Sequence, residues 1–214
     1  MQHNETKNER REQIIEGAFW ALKEQGLPNL SYDAIAESAG VSRQLVRYHF
    51  SNSEDLMISV CDYLAALYRE ALIAATVNAA DGPRLDVFFD FYFDLLEGFP
   101  KPRDDQVYDA MMSLAARSKP VRSALRGQYQ LLGEVLSHEI ELQYPTLTRK
   151  SALEISYLFV CLMYGHWKMV ATLGLSEDHK FVTRAALDRL ILSYLEKGAS
   201  SETTASVWSS VKET

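Results

Sequence analysis

The stretch AIAESAGVSRQLVRYHFSNSEDL, residues 34–56, decides how the rest of the chain is read. Two short amphipathic runs are joined by Ala39-Gly40-Val41, and the second ends in Arg47-Tyr48-His49-Phe50. No carboxylate lies between Glu37 and Glu54. Ser31 and Ser42 stand where the two runs begin, as N-caps, and Gly40 supplies the turn between them. Ile35 and Ala36 of the first run point inward, as do Val46 and Phe50 of the second. That leaves Arg43, Gln44, Arg47 and Tyr48 on the outer faces. A helix, a three- or four-residue turn containing Gly, and a second short helix form the layout that places its second helix in a DNA major groove. A guanidinium bonds both acceptors of a guanine edge, and a Gln amide does the same for adenine. Tyr, His and Ser side chains and free helix N-termini suit phosphate oxygens. A surface without carboxylates avoids repelling those phosphates. The plain alternative is a solvated helix face on an ordinary bundle.

Upstream, Ile14, Ile15, Ala18, Phe19 and Leu22 recur at helical spacing and form one apolar face. Downstream, Asn52 or Ser53 opens a fourth helix with Glu54 and Asp55 favourably placed in its first turn. Together, IIEGAFWALKEQGLPNLSYDAIAESAGVSRQLVRYHFSNSEDL, residues 14–56, resembles the signature of the tetracycline-repressor-like (TetR/AcrR) transcriptional regulators. The resemblance is carried by IIEGAFWALKEQG, by the IAESAGVS turn and above all by YHFSNSEDL. It implies that Arg43, Gln44 and Arg47 read bases, and that Ser31, Tyr32, Ser42, Tyr48 and His49 hold phosphates. Gln44-Leu45 stands where the family often has Gly-Thr or Pro-Thr, and Arg47 replaces a common Tyr. Both changes point to an individual operator sequence. Ser53 stands where the family usually has a phosphate-contacting Lys.

The 214 residues, 47% of them hydrophobic, suffice for one domain or two small ones with a substantial core. A net charge of -7 counts against indiscriminate attachment to polyanions. Residues 1–60 carry six Lys and Arg against nine Asp and Glu, so any nucleic-acid site is local. The first ten residues are polar and mixed in charge, unlike a signal peptide. Cys61 and Cys161 lie far apart without metal-ligand neighbours, and they fit core positions in a reducing cytoplasm. The apolar stretch 155–175 is interrupted by His166 and Lys168. Its roughly 11 clean residues fall short of the ~20 that cross a bilayer, so it reads as a buried helix and no membrane is expected.

Scarce Gly and Pro punctuate nine expected helices, near 9–25, 32–39, 43–49, 53–79, 84–98, 104–116, 119–143, 148–174 and 177–198. The expectation is an all-α fold: a three-helix head with a helix-turn-helix, joined to a six-helix body. The divisions are a DNA-binding domain at 1–52, a ligand-binding and dimerisation domain at 53–199, and a Ser/Thr-rich, disordered tail at 200–214.

In the body, Asp86, Asp90, Asp94 and Glu97 fall on one stripe, opposite Phe88, Phe91, Tyr92 and Leu95. The stripe reads as a solvated face, with a metal or cationic ligand as the alternative. Tyr157, Cys161, Tyr164 and Lys168 share one side of the eighth helix; Ile155, Phe159, Leu162, His166 and Val170 share the other. One side meets a partner subunit and the other a cavity, or both pack internally. Phe181, Ala185, Ala186, Leu190 and Tyr194 form a seam suited to pairing. The candidate ligand contacts are Phe91, Tyr92, Met111, Met112, Tyr157, Tyr164 and Trp167, which suit an apolar or aromatic molecule. His138 lacks the second His of a metalloprotease helix, and no phosphate loop, nucleophile elbow or Cys/His cluster stands out, so neither a cofactor nor an enzyme is expected. The partners expected are a palindromic double-stranded DNA operator, a second copy of the chain and an unidentified small-molecule effector. The alternative is an all-helical small-molecule-binding protein or enzyme without sequence-specific DNA binding.

Overall fold

Helix fills most of the described residues, with breaks at Gly26, Gly40, Gly174 and Gly198. The computed structural model describes residues 2–78, 83–98, 104–200 and 207–209, with side chains from residue 7 onward except Asn78. The helices are α1 (Gln2–Gln25), α2 (Tyr32–Ser38), α3 (Arg43–His49), α4 (Ser53–Asn78), α5 (Arg84–Tyr92), α6 (Asp105–Ala115), α7 (Lys119–Gln143), α8 (Arg149–Trp167) and α9 (His179–Lys197). A 3-10 turn spans Leu27–Asn29, and a π turn, Lys168–Thr172, continues α8. No strand occurs among the described residues. The fold is all-α.

Three boundaries differ from the sequence expectation. Helix α1 starts at Gln2, because nothing before residue 9 breaks a helix and Glu and Lys favour one. Helix α5 ends at Tyr92 instead of continuing to 98, where Asp94 adopts a left-handed φ of 53°. Carbonyls at and just beyond its end accept from elsewhere: the Trp167 indole N–H donates to Tyr92 O at 3.0 Å, and Lys180 Nζ donates to Asp94 O at 2.9 Å. The last turn of the eighth helix widens to π geometry from Lys168.

The chain forms two compact units, residues 1–69 with 102–128 and residues 70–101 with 129–214, and α4 and α7 supply residues to both. In the first unit, Ile14, Ala18 and Leu22 of α1 are wholly buried. Helix α1 packs against α2 and α6. A Cβ on Gly17 would lie 2.5 Å from Ala39 Cβ, so only glycine lets α1 approach the α2–α3 turn this closely. Val60 and Leu64 of α4 complete this core, and the Phe19 and Tyr63 rings meet edge to face at 5.5 Å. Cys61 is buried with its thiol 3.2 Å from Met111 Sδ; burial, reinforced by Asp62, pushes its pKa up to about 12.

Phe159 of α8 is the hub of the second unit, with ring contacts at 5.2–5.9 Å to Phe88, Phe89, Tyr92 and Phe93. Two carboxylates of the acidic stripe, Asp86 and Asp90, are partly exposed and paired. Arg184 of α9 donates to Asp86 and Asp90 at 2.8 Å each and to Asp188, with its guanidinium over the Phe89 ring. Cys161 is exposed, not buried as expected, because it shares an outward stripe of α8 with Tyr157. Of the tail, residues 201–206 and 210–214 lie outside the described residues. Trp208 is seated against Gly133, donates its indole N–H to Ser156 Oγ at 2.8 Å and accepts from Gln130 Nε2 at its carbonyl, 2.6 Å.

Candidate functional site

Helices α2 and α3 are set by short-range chemistry. The Ser31 hydroxyl accepts from Ala34 N–H at 3.1 Å, and the Ser42 hydroxyl accepts from Leu45 N–H at 3.2 Å. Gly40 takes the left-handed φ of 62° that reverses the chain between them. Gln13 of α1 donates to Ala39 O at 2.7 Å and so ties the turn to the first helix. Ile35, Ala36, Val46 and Phe50 are buried and anchor the pair. Asn52 Oδ1 accepts from Glu54 N–H at 2.9 Å where α4 begins.

With those anchors inside, Ser42, Arg43, Gln44, Arg47 and Tyr48 are all exposed, Tyr48 at 71%. Arg43 and Arg47 are one turn apart on α3 and so share a face. Ser31 is exposed, and Tyr32 and His49 are half-buried. The outward row thus carries two guanidinium forks, an amide and three hydroxyl groups. It can contribute many donors to an acceptor-rich, anionic surface.

Two residues outside the expected set join it. Lys7 of α1 has its Nζ 5.8 Å from the centre of the Tyr48 ring. Arg11 stacks on the Phe50 ring at 4.8 Å and donates to Ser59 Oγ at 2.8 Å. Burial, then Lys7 and Arg11, hold the His49 pKa below its ordinary value. Asp33 is the other surprise: its Oδ2 accepts from Arg43 Nη1 at 3.1 Å. No local signal marks Lys7, which is 41 positions from Tyr48. Asp33 falls just outside the carboxylate-free segment, yet the turn folds it back onto α3. The Tyr32 hydroxyl donates to Phe50 O at 3.1 Å.

The candidate ligand contacts are drawn from both units. Met111 is buried and Met112 half-buried in the first unit. In the second unit Phe91 and Tyr92 are buried, and Trp167 reaches the Tyr92 carbonyl. Tyr157 is 41% exposed and meets the Trp208 ring at 5.5 Å; Tyr164 lies under Lys168 Nζ at 5.4 Å. On α9, Leu187 and Ile191 are buried while Phe181, Val182, Leu192 and Leu195 are exposed, Phe181 at 58%. Of the expected seam, Ala185, Ala186, Leu190 and Tyr194 are half-buried, and the Tyr194 hydroxyl donates to Glu154 at 2.9 Å. Among the described residues no group of three His, Cys, Asp or Glu could hold a metal ion, and no helix is long and apolar enough to cross a membrane.

Residues 14–60 match the family described as bacterial regulatory proteins, tetR family. The HTH-type transcriptional regulator BetI of Stenotrophomonas maltophilia (strain R551-3) is 30% identical over 75 residues, which is 35% of this chain and 38% of the relative. The multidrug binding protein EbrR, solved with ethidium, is 22% identical with a TM-score of 0.64, over 85% of this chain and 98% of that one. A regulator from Saccharomonospora viridis, solved with choline and described as a transcriptional one, is 20% identical with a TM-score of 0.67, over 89% and 97% of the two chains. At these identities the likeness to the solved structures is one of fold.

Proposed function

We propose that this chain is a ligand-responsive transcriptional repressor of the TetR/AcrR type that binds a palindromic operator as a homodimer. The observation that carries the reading is the outward row of α3. Arg43, Gln44 and Arg47 are exposed and on a helix short enough to enter a major groove, with exposed Ser31, Ser42 and Tyr48 around them. In this reading the two arginines and the glutamine contact base edges, and the hydroxyls and His49 contact phosphates. One seven-residue helix reads few base pairs. Two copies spaced by about 34–36 Å read successive turns of a palindrome. The apolar side chains exposed on α9, with Tyr157 and Cys161 on α8, supply a face for the second copy.

The effector is assigned to the aromatic residues of the second unit. Ethidium and choline, held by two proteins of this fold, are both organic cations, and an organic cation is the first class to test here. Ligand and DNA each favour one arrangement of the dimer, and α4 and α7, which supply residues to both units, are covalent links between them. Coupling of this kind is reciprocal: a ligand that weakens operator binding by some factor is itself weakened by that factor on saturating operator.

The test is selection of a duplex from a random-sequence pool, followed by titration of the selected and a scrambled duplex at several salt concentrations. The reading expects a palindromic winner and affinity that falls steeply with salt. Recovery of no sequence above background, with no salt dependence, would overturn it. Lys7 gives a finer check, since its cation stands beside the exposed Tyr48 ring. Lys7→Ala is expected to weaken selected and scrambled duplexes alike and to make the salt slope shallower by about 0.9, the value of one phosphate contact. An unchanged slope would remove Lys7 from the interface.

A further inference from the structure

The two arginines that face outward on α3 are each held by a neighbouring residue of α2. Asp33 sits in the first turn of α2, and its Oδ2 accepts from Arg43 Nη1 at 3.1 Å across the turn. Both side chains are largely exposed, 52% for Arg43 and 66% for Asp33. Such a pair adds little to stability. Its effect is on orientation, because it fixes one edge of a planar fork. A guanidinium has five N–H donors, and a single bond to Asp33 leaves enough for a bidentate contact. Tyr32, the residue before, places its ring 5.8 Å from the Arg47 guanidinium carbon. That ring is itself fixed, since the Tyr32 hydroxyl donates to Phe50 O, the carbonyl of the residue that caps α3. Consecutive residues at the start of α2 thus restrain both forks of α3. The two contacts are independent: one is a charged hydrogen bond, the other a cation over a ring.

We infer that Tyr32 and Asp33 are positioning residues for base discrimination: the Asp33 carboxylate sets the Arg43 fork, and the Tyr32 ring sets the Arg47 fork. The inference rests on the reading of α3 as the DNA-contacting helix. A long side chain that must be ordered on binding loses rotamer freedom, and one already held loses less. The benefit goes only to the sequence that presents a guanine edge where the fork already points. A carboxylate at this surface also repels phosphates whatever the sequence. Asp33 therefore has two opposite effects, which separate it from an ordinary surface residue. It lowers affinity for all DNA and raises the preference for one sequence.

The experiment uses the full chain, the duplex selected by the wild-type protein and a scrambled duplex of equal length, at one salt concentration. Asp33→Ala is expected to bind the scrambled duplex more tightly than wild type. The ratio of selected to scrambled affinity is expected to fall by roughly twofold to fivefold, the scale of an exposed ion pair. Asp33→Asn keeps an acceptor and removes the charge. It is expected to restore most of the ratio while keeping the tighter scrambled binding. Adding Asp33→Ala to Arg43→Ala is expected to leave the ratio of the single Arg43→Ala variant unchanged. Tyr32→Leu is expected to lower the ratio in the same way, and Arg47→Ala is expected to abolish that effect. Melting curves for each variant show whether the head stays folded; Asp33 is exposed and bears no core load. A ratio unchanged in Asp33→Ala overturns the inference for Arg43, and so does an Asp33→Asn ratio as low as that of Asp33→Ala. If the wild-type protein selects no sequence at all, the DNA-binding reading fails first, a result distinct from either of these.

Discussion

As pH rises from about 4 to about 7, the wild-type protein is expected to lose on the order of 4 kcal/mol of stability relative to Asp104→Asn. Asp104 is 3% exposed. One of its oxygens accepts from the Tyr68 hydroxyl at 2.9 Å, and Oδ2 is buried without a hydrogen-bond partner among the described residues. Burial pushes its pKa up from 3.8 to about 7. The Tyr68 hydrogen bond opposes the shift, Asp105 adds to it and Lys23 opposes it. The folded chain therefore holds a proton that the unfolded chain releases at lower pH. The stabilisation from that proton is complete below about 3.8, the unfolded value, and is lost as pH rises through about 7. Above that point an ionised carboxylate stays buried with one oxygen unbonded, which is costly. Asparagine keeps the shape and the acceptor for Tyr68 and carries no charge at any pH. Urea titrations of both proteins at intervals across this range are the check, with the difference between the two curves as the readout. Parallel curves would show that Asp104 is ionised at no such cost.

Arg47→Ala is expected to weaken the selected operator by about 1–3 kcal/mol, roughly 5-fold to 150-fold, with a much smaller loss on scrambled DNA. The side chain is exposed, so truncation leaves no cavity in the head and melting should not move. What is lost is a planar, bidentate donor pair one turn from Arg43. Arg47→Lys separates geometry from charge: it keeps a cation but not the fork, so scrambled binding is retained while most of the preference is lost. Equal affinity of Arg47→Ala and wild type for the operator would exclude a base contact.

The all-α fold and the helix-turn-helix are legible along the chain, because the signals involved act over a few residues. Ser31 and Ser42 cap the helices that follow them within three residues, and Gly40 adopts a backbone angle that other residues resist. Helical periodicity alone placed Val46 and Phe50 inside and the arginines outside. Tertiary structure decided what those side chains then meet. Lys7 reaches Tyr48, Asp33 is folded back onto Arg43, and Arg184 closes on Asp86 and Asp90 from 98 and 94 positions away. At the end of α5 the carbonyls of Tyr92 and Asp94, which a continued helix would bond locally, accept from Trp167 and Lys180 instead. The unbonded oxygen of Asp104 belongs to the same class. A carboxylate has an ordinary pKa until other chain segments exclude water from it, and no pattern along the sequence records which segments those are.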